Sequence, residues 1–328
     1  MTSFAQRVVS GSRTKRTLLI LGMDPDFGRI KDDFSGQTIE LESEPAGILD
    51  SLPFAQKHDA MPFPDDFKQA YFQLLKFCAQ TIYALRNEVL GVKFQIAYFE
   101  EVGPLGLHVM SALIGLCREL DLLVIMDAKR GDIGSTFTRY LNTYLTDTGN
   151  PLSLEADAMT VNPLVGTDTW ELFLPHLKQG KGIFLLTYPT APGAEEIMEA
   201  QVAGEPLWRF LARAANDIVR AYLLEAEPAN LGLVAGALRP VMGERIREAF
   251  PGALFLVPGV GAQGGTMANA PAFTGGRNWA LFPASRALLY AYAKSDIDSE
   301  KRGEEFWKAS LAQAQAYNHE LRRMLRFD

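Results

Sequence analysis

"LLVIMDAKRGDIGSTF", residues 122–137, is an apolar run that stops abruptly in charge. Branched residues give way to Asp127, Lys129, Arg130 and Asp132, and then to small and hydroxyl-bearing side chains. The apolar part lacks the in/out alternation of a half-exposed strand, so it reads as a strand buried on both faces, as in a parallel sheet. The charges then collect where that strand ends, which is where a parallel α/β fold builds its sites.

Runs of the same kind recur along the chain: "TLLILGM" (17–23), "VLGVKFQI" (89–96), "AMTVN" (158–162), "GIFLLT" (182–187), "LGLVAG" (231–236), "LFLVPG" (254–259) and "WALFPA" (279–284). With residues 122–127 that makes eight strands. Segments with helical spacing alternate with them, at 65–85, 104–120 and 208–226, and a further helix is expected at about 300–325. Eight β-then-α repeats predict a (β/α)8 TIM barrel, α/β in class, as a single domain over residues 1–328. An open doubly wound sheet would carry a Gly-rich fingerprint after the first strand, and "GMDPDFG" (22–28) is not one. Residues 26–64 are polar and bear Pro and Gly, too long for an ordinary βα connection, so they read as an insertion after strand one that partly covers the barrel mouth.

Composition narrows the function. The chain has 328 residues, 48% hydrophobic and 22% charged, with a net charge of −7. That balance disfavours a general nucleic-acid binder but leaves room for an anionic small molecule held by a few basic groups. Cys78 and Cys117 lie in apolar helical stretches and read as structural thiols in a reducing compartment. His58, His108, His176 and His319 stand singly, without metal-ligand spacing. No apolar run reaches the ~20 residues that span a bilayer, and the N-terminus lacks a signal peptide's apolar core, so a short capping helix and a cytoplasmic protein are expected.

In a barrel the functional groups sit at the strands' C-terminal ends. Asp24 ends strand one, Lys93 lies on strand two, Asp127 and Lys129 on strand three, and Ser285–Arg286 end strand eight. Asp127 and Lys129 are two apart, so an extended backbone would turn both to the mouth. With Lys93 and Asp132, two ammonium and two carboxylate groups would share a small volume, tolerable because the signs alternate. After strand seven comes "PGVGAQGG" (258–265), a Gly-rich loop where barrels often hold phosphate, with Gln263 and Arg286 as further donors. Asp168, before a helical run, reads as an N-cap.

"DAKRGDIGST" (127–136), preceded by Lys93 and followed by "PGVGAQGG", resembles the orotidine 5′-monophosphate decarboxylase family, in its longer bacterial subgroup. "GMDPD", "VKFQ", "VNPLVGTD", "TAPGAEE" and "LVAGA" fall where that family has counterparts, and the likeness runs from about residue 4 to 293. The resemblance implies decarboxylation of orotidine 5′-monophosphate to uridine 5′-monophosphate, the last step of de novo UMP synthesis, with no metal or organic cofactor. It implies Lys93, Asp127, Lys129 and Asp132 as the catalytic charges. Asp24 and Lys93 would meet ribose hydroxyls, Pro258 and Thr190 the pyrimidine, and Gln263 and Arg286 the phosphate. It further implies a homodimer in which Asp132 and Thr136 reach the partner's site. Thr190 stands where the family usually has Ser, Ser285 where many members have Gly, and the loop 264–282 is altered.

Chemically, the departing CO2 leaves an electron pair in an sp2 ring orbital with no adjacent π sink. Preorganised charge must lower that barrier, and Lys129 is expected to face the carbanion and protonate it. Hexulose-phosphate synthases and keto-gulonate-phosphate decarboxylases share the Asp-x-Lys-x-x-Asp scaffold but use Mg²⁺ to stabilise an enediolate. A non-catalytic nucleotide-binding barrel is the alternative outside enzymology.

Overall fold

The computed structural model describes residues 2–51, 64–150, 152–222, 228–261 and 263–327. Eight strands appear where the apolar runs lie: β1 Leu19–Met23, β2 Gly91–Gln95, β3 Leu123–Arg130, β4 Ala158–Val161, β5 Gly182–Tyr188, β6 Ala229–Ala235, β7 Ala253–Leu256 and β8 Ala280–Ala284. Each pairs in parallel with its neighbours in chain order, and β1 pairs with both β2 and β8, so the sheet closes into a barrel. Helices between the strands complete the (β/α)8 TIM barrel. The strands need no polar face because Leu19, Val92, Ile125, Met159, Ile183, Leu231, Phe255 and Leu281 are all essentially inaccessible to solvent.

The helices follow the expected periods. Helix Asp65–Leu85 occupies the whole of 65–85, Pro104–Glu119 falls one residue short of 120, and Leu207–Tyr222 ends where the described residues pause. Helix Phe4–Lys15 opens with a capping box: the Ser3 hydroxyl accepts from the Gln6 amide, and the Gln6 side chain accepts from the Ser3 amide. Phe4 then meets Phe184 edge to face at 5.8 Å, and the Ala5 amide donates to Asn230, which closes the barrel floor. No helix among the described residues is long and apolar enough to cross a membrane.

The insertion is helical in its described part. It holds two helices, Phe27–Asp33 and Ser43–Ser51, and these pack outward on the helical shell. Phe34 is buried among Phe77, Tyr292 and Phe306, and Gln73 donates to the Phe34 and Gln37 carbonyls. Apolar side chains at 30, 34 and 39 hold the described part of this segment to the shell. Residues 52–63 of the insertion, with His58, lie outside the described residues.

Asp168 is also placed otherwise. It is the second residue of a 3-10 turn, Thr167–Phe173, whose cap position is Gly166 and carries no side-chain cap. Gly166 has φ 146°, a conformation an Asp would resist, so the chain caps this turn with backbone alone.

Candidate active site

The strand ends surround one cavity of about 360 Å³ at the C-terminal mouth. Asp127 is its pivot. Its two carboxylate oxygens receive four donors: Lys93 Nζ (2.7 Å) and Gln95 Nε2 (3.1 Å) on Oδ2, Lys129 Nζ (2.6 Å) and Thr160 Oγ1 (2.9 Å) on Oδ1. Register explains the convergence: Gln95 sits directly beside Asp127 across β2 and β3, and Lys93 lies two residues earlier on the same face.

Burial alone would push the Asp127 carboxyl up, but the Lys93 and Lys129 ammonium groups overcome it and hold that carboxyl far below its ordinary range. Lys93 is the mirror case. Full burial acts to lower its pKa, yet Asp127 and then Asp24 outweigh burial and raise it. Both groups therefore stay charged inside the barrel. Asp24 Oδ1 lies 3.9 Å from Lys93 Nζ, and that buried oxygen has no hydrogen-bond partner among the described residues.

Lys129 reaches Asp127 by another route than simple alternation. The β3–β4 register shifts between Met126 and Arg130, and Lys129 takes φ 46°, the left-handed region. Its amide donates to Thr160 Oγ1 at 2.9 Å, which holds the turn that aims its side chain. Nor is Lys129 dry: its side chain is 40% exposed, against 5% for Lys93 and 9% for Asp127.

Asp132 does not join the array within one chain. It accepts from its own Ile133 amide at 2.8 Å and does not line the cavity, and Thr136 is likewise exposed on helix Gly134–Leu145. The turn after Gly131 carries both away from the cavity, and Asp24 supplies the second carboxylate beside Lys93 instead.

The other residues singled out in the sequence, Asp24, Thr190, Pro258, Gln263 and Arg286, all line the same cavity. Two departures find room locally. A Cβ on Gly236 or Gly259 would meet the Thr190 methyl at 2.8 and 3.0 Å, so two glycines accommodate the extra carbon of threonine. A Cβ on Gly22 would collide with Ser285 Oγ at 1.9 Å, so Ser285 is seated over a glycine of β1. Gln95 and Thr160 are site residues that the sequence reading passed over. Their signal was present: Gln95 is two residues from Lys93, and Thr160 is the lone hydroxyl in an apolar strand. Among the described residues, no three His, Cys, Asp or Glu side chains gather as metal ligands. Cys78 and Cys117 are free and fully buried, and burial pushes both thiols up, out of reach of thiolate chemistry.

A family model described as "Orotidine 5′-phosphate decarboxylase / HUMPS family" matches residues 72–289. An orotidine 5′-phosphate decarboxylase of Roseiflexus castenholzii is 35% identical over 256 residues, covering 77% of this chain and 83% of the relative. The one from Roseiflexus sp. is 31% identical over 293 residues, 88% of this chain and 89% of that one. Among solved structures, a provisionally named orotidine-monophosphate decarboxylase of Toxoplasma gondii superposes with a TM-score of 0.71 at 25% identity, covering 98% of both chains. The Plasmodium berghei orotidine 5′-monophosphate decarboxylase, at 16% identity, shares the fold with a TM-score of 0.69 over 96% of this chain and 99% of its own. With two thirds of its length matched by that model and a charged barrel mouth of this construction, the chain belongs to the orotidine 5′-phosphate decarboxylase / HUMPS family.

Proposed function

We propose that this chain is a carboxy-lyase that converts orotidine 5′-monophosphate to uridine 5′-monophosphate in pyrimidine biosynthesis, without a cofactor. The carrying observation is the Lys93–Asp127–Lys129 array, which shares one cavity with Gln263 and Arg286. In this reading Gln263 and Arg286 hold the phosphate, Asp24 and Lys93 the ribose hydroxyls, and Thr190 and Pro258 the pyrimidine. The unpartnered Asp24 oxygen suits a hydroxyl donor.

The bond between the ring carbon and its carboxylate breaks, CO2 leaves, and the electron pair stays on the ring carbon. The Lys129 ammonium faces that charge and transfers a proton to it, and solvent then restores the ammonium. Asp127 fixes Lys129 through a 2.6 Å hydrogen bond, so little reorganisation is needed as charge develops. A substrate covering Lys129 would remove the water that now reaches it and strengthen the interaction. The Lys93 ammonium lies between Asp24 and Asp127 and supplies the positive charge those two carboxylates face.

The proposal includes a homodimer. Ile133 (65% exposed), Leu164 and Val165 present apolar side chains near Gly131, beside Asp132, and a partner would cover them while Asp132 and Thr136 enter its site.

The test is loss of orotidine 5′-monophosphate absorbance with EDTA-treated protein, with and without added Mg²⁺. Equal turnover in both supports the proposal. Turnover only with Mg²⁺, or none, overturns it in favour of sugar-phosphate chemistry.

A further inference from the structure

The C-terminal helix Arg302–Met324 lies beyond the family-matched residues, yet it touches both halves of the proposed phosphate site. On one side, Ser310 is fully buried and donates to the Leu288 carbonyl at 2.8 Å, within the short helix Arg286–Leu289 that begins with Arg286. On the other, Tyr317 packs on the Gly-rich loop. A Cβ built on Gly261 would come within 2.7 Å of the Tyr317 hydroxyl and 2.9 Å of Ala287 Cβ. Positions 310 and 317 are two helical turns apart and so share a face.

Gly261 is the corner of that loop. It has φ 80°, its amide donates to the Gly265 carbonyl at 2.8 Å, and its carbonyl accepts from the Gly264 amide at 2.9 Å. Gln263 lies within this turn, and its side chain folds back towards Gly259. A loop of this composition has many unbound conformations, and ordering it on ligand binding costs affinity.

We propose that Tyr317 is a positioning residue for phosphate binding: its hydroxyl end braces Gly261, holding the turn that presents Gln263 in register with Arg286. This rests on the decarboxylase reading for the ligand's identity, not for the bracing itself.

The experiment is calorimetric titration of UMP and of uridine into wild type, Tyr317→Leu, Tyr317→Phe, Gly261→Ala and the Gly261→Ala/Tyr317→Phe double variant. Leucine keeps apolar packing but is too short to reach Gly261. UMP affinity is expected to fall about tenfold or more in Tyr317→Leu and Gly261→Ala, while uridine affinity changes less than about twofold. The double variant should recover part of the UMP affinity lost in Gly261→Ala, because the hydroxyl that the new methyl strikes has been removed, while the strain at φ 80° and the Ala287 contact remain. UMP and uridine affinities falling together, unchanged UMP affinity in Tyr317→Leu, or strictly additive losses would overturn the proposal. Tight UMP binding by a wild-type protein that does not turn over orotidine 5′-monophosphate would defeat the decarboxylase reading alone.

Discussion

At Asp127 four donors meet one carboxylate, two on each oxygen, and the energetic consequence is asymmetric. Removing the charge leaves the buried Lys93 with only Asp24, 3.9 Å away, as a carboxylate neighbour, so Asp127→Asn should cost about 3 kcal/mol of unfolding free energy. The folded carboxyl lies below its unfolded value, so its stabilising contribution is full above the unfolded pKa and fades as pH falls through the folded one. The stability gap between wild type and Asp127→Asn, measured by urea denaturation, should therefore be flat across neutral pH and shrink below about pH 4. A gap that grew with acid would mean the carboxyl is raised instead. Thr160 is the second test at this scale. Thr160→Val leaves the Lys129 amide and one Asp127 oxygen each short of a partner, at about 1–3 kcal/mol, and kcat should drop at least about tenfold as Lys129 loses its aim. The ionic partners were legible in the sequence because charges at the end of an apolar run are conspicuous. Thr160 was marked only as a lone hydroxyl in an apolar strand, a weaker signal because such a hydroxyl usually satisfies itself locally, and the left-handed turn at Lys129 leaves no composition signal.

Among the elements, the C-terminal helix is fastened by polar side chains as much as by packing. Asn318 is fully buried, accepts from the Thr17 hydroxyl, and donates to the Glu88 carbonyl and carboxylate at 2.8 Å each. One side chain thus ties the helix to the start of β1 and to the approach to β2. Asn318→Ala should lower the urea midpoint by an amount equivalent to about 2–3 kcal/mol, with the slope unchanged if the native fold persists. A shift under about 0.5 kcal/mol would show that packing alone holds the helix. The strands were readable because burial on both faces imposes continuous apolar runs, and the long helices because their stripe repeats at 3.6 residues. The insertion was harder. Its outward packing depends on Phe34 finding Phe77, Tyr292 and Phe306, partners that are 43 or more positions distant in the chain, and no local pattern encodes that. The turn at Gly166 was misread at Asp168 for a related reason, because glycine conformation rather than a side chain sets where it begins.

Across the whole molecule, closing the barrel gathers side chains from β2 through β8 around one mouth, with Asp24 just past β1 and the loops after β5 and β7. What one chain does not gather is Asp132, and the exposed Ile133, Leu164 and Val165 give the reason a second copy is invoked. If Asp132 acts across the interface, mixing the inactive variants Asp132→Ala and Lys129→Ala should restore up to about a quarter of wild-type activity, since random exchange makes half the dimers mixed, each with one intact site. No recovery after verified subunit exchange would place Asp132 outside the partner's site. The most direct test of the chemistry itself is single-turnover decarboxylation of orotidine 5′-monophosphate by chelator-treated enzyme, wild type beside Lys129→Ala. A rate constant at least about 10³-fold lower in the variant, with UMP still bound, is the expected result. A Lys129→Ala enzyme within tenfold of wild type would contradict the assignment of Lys129 as the proton donor facing the carbanion.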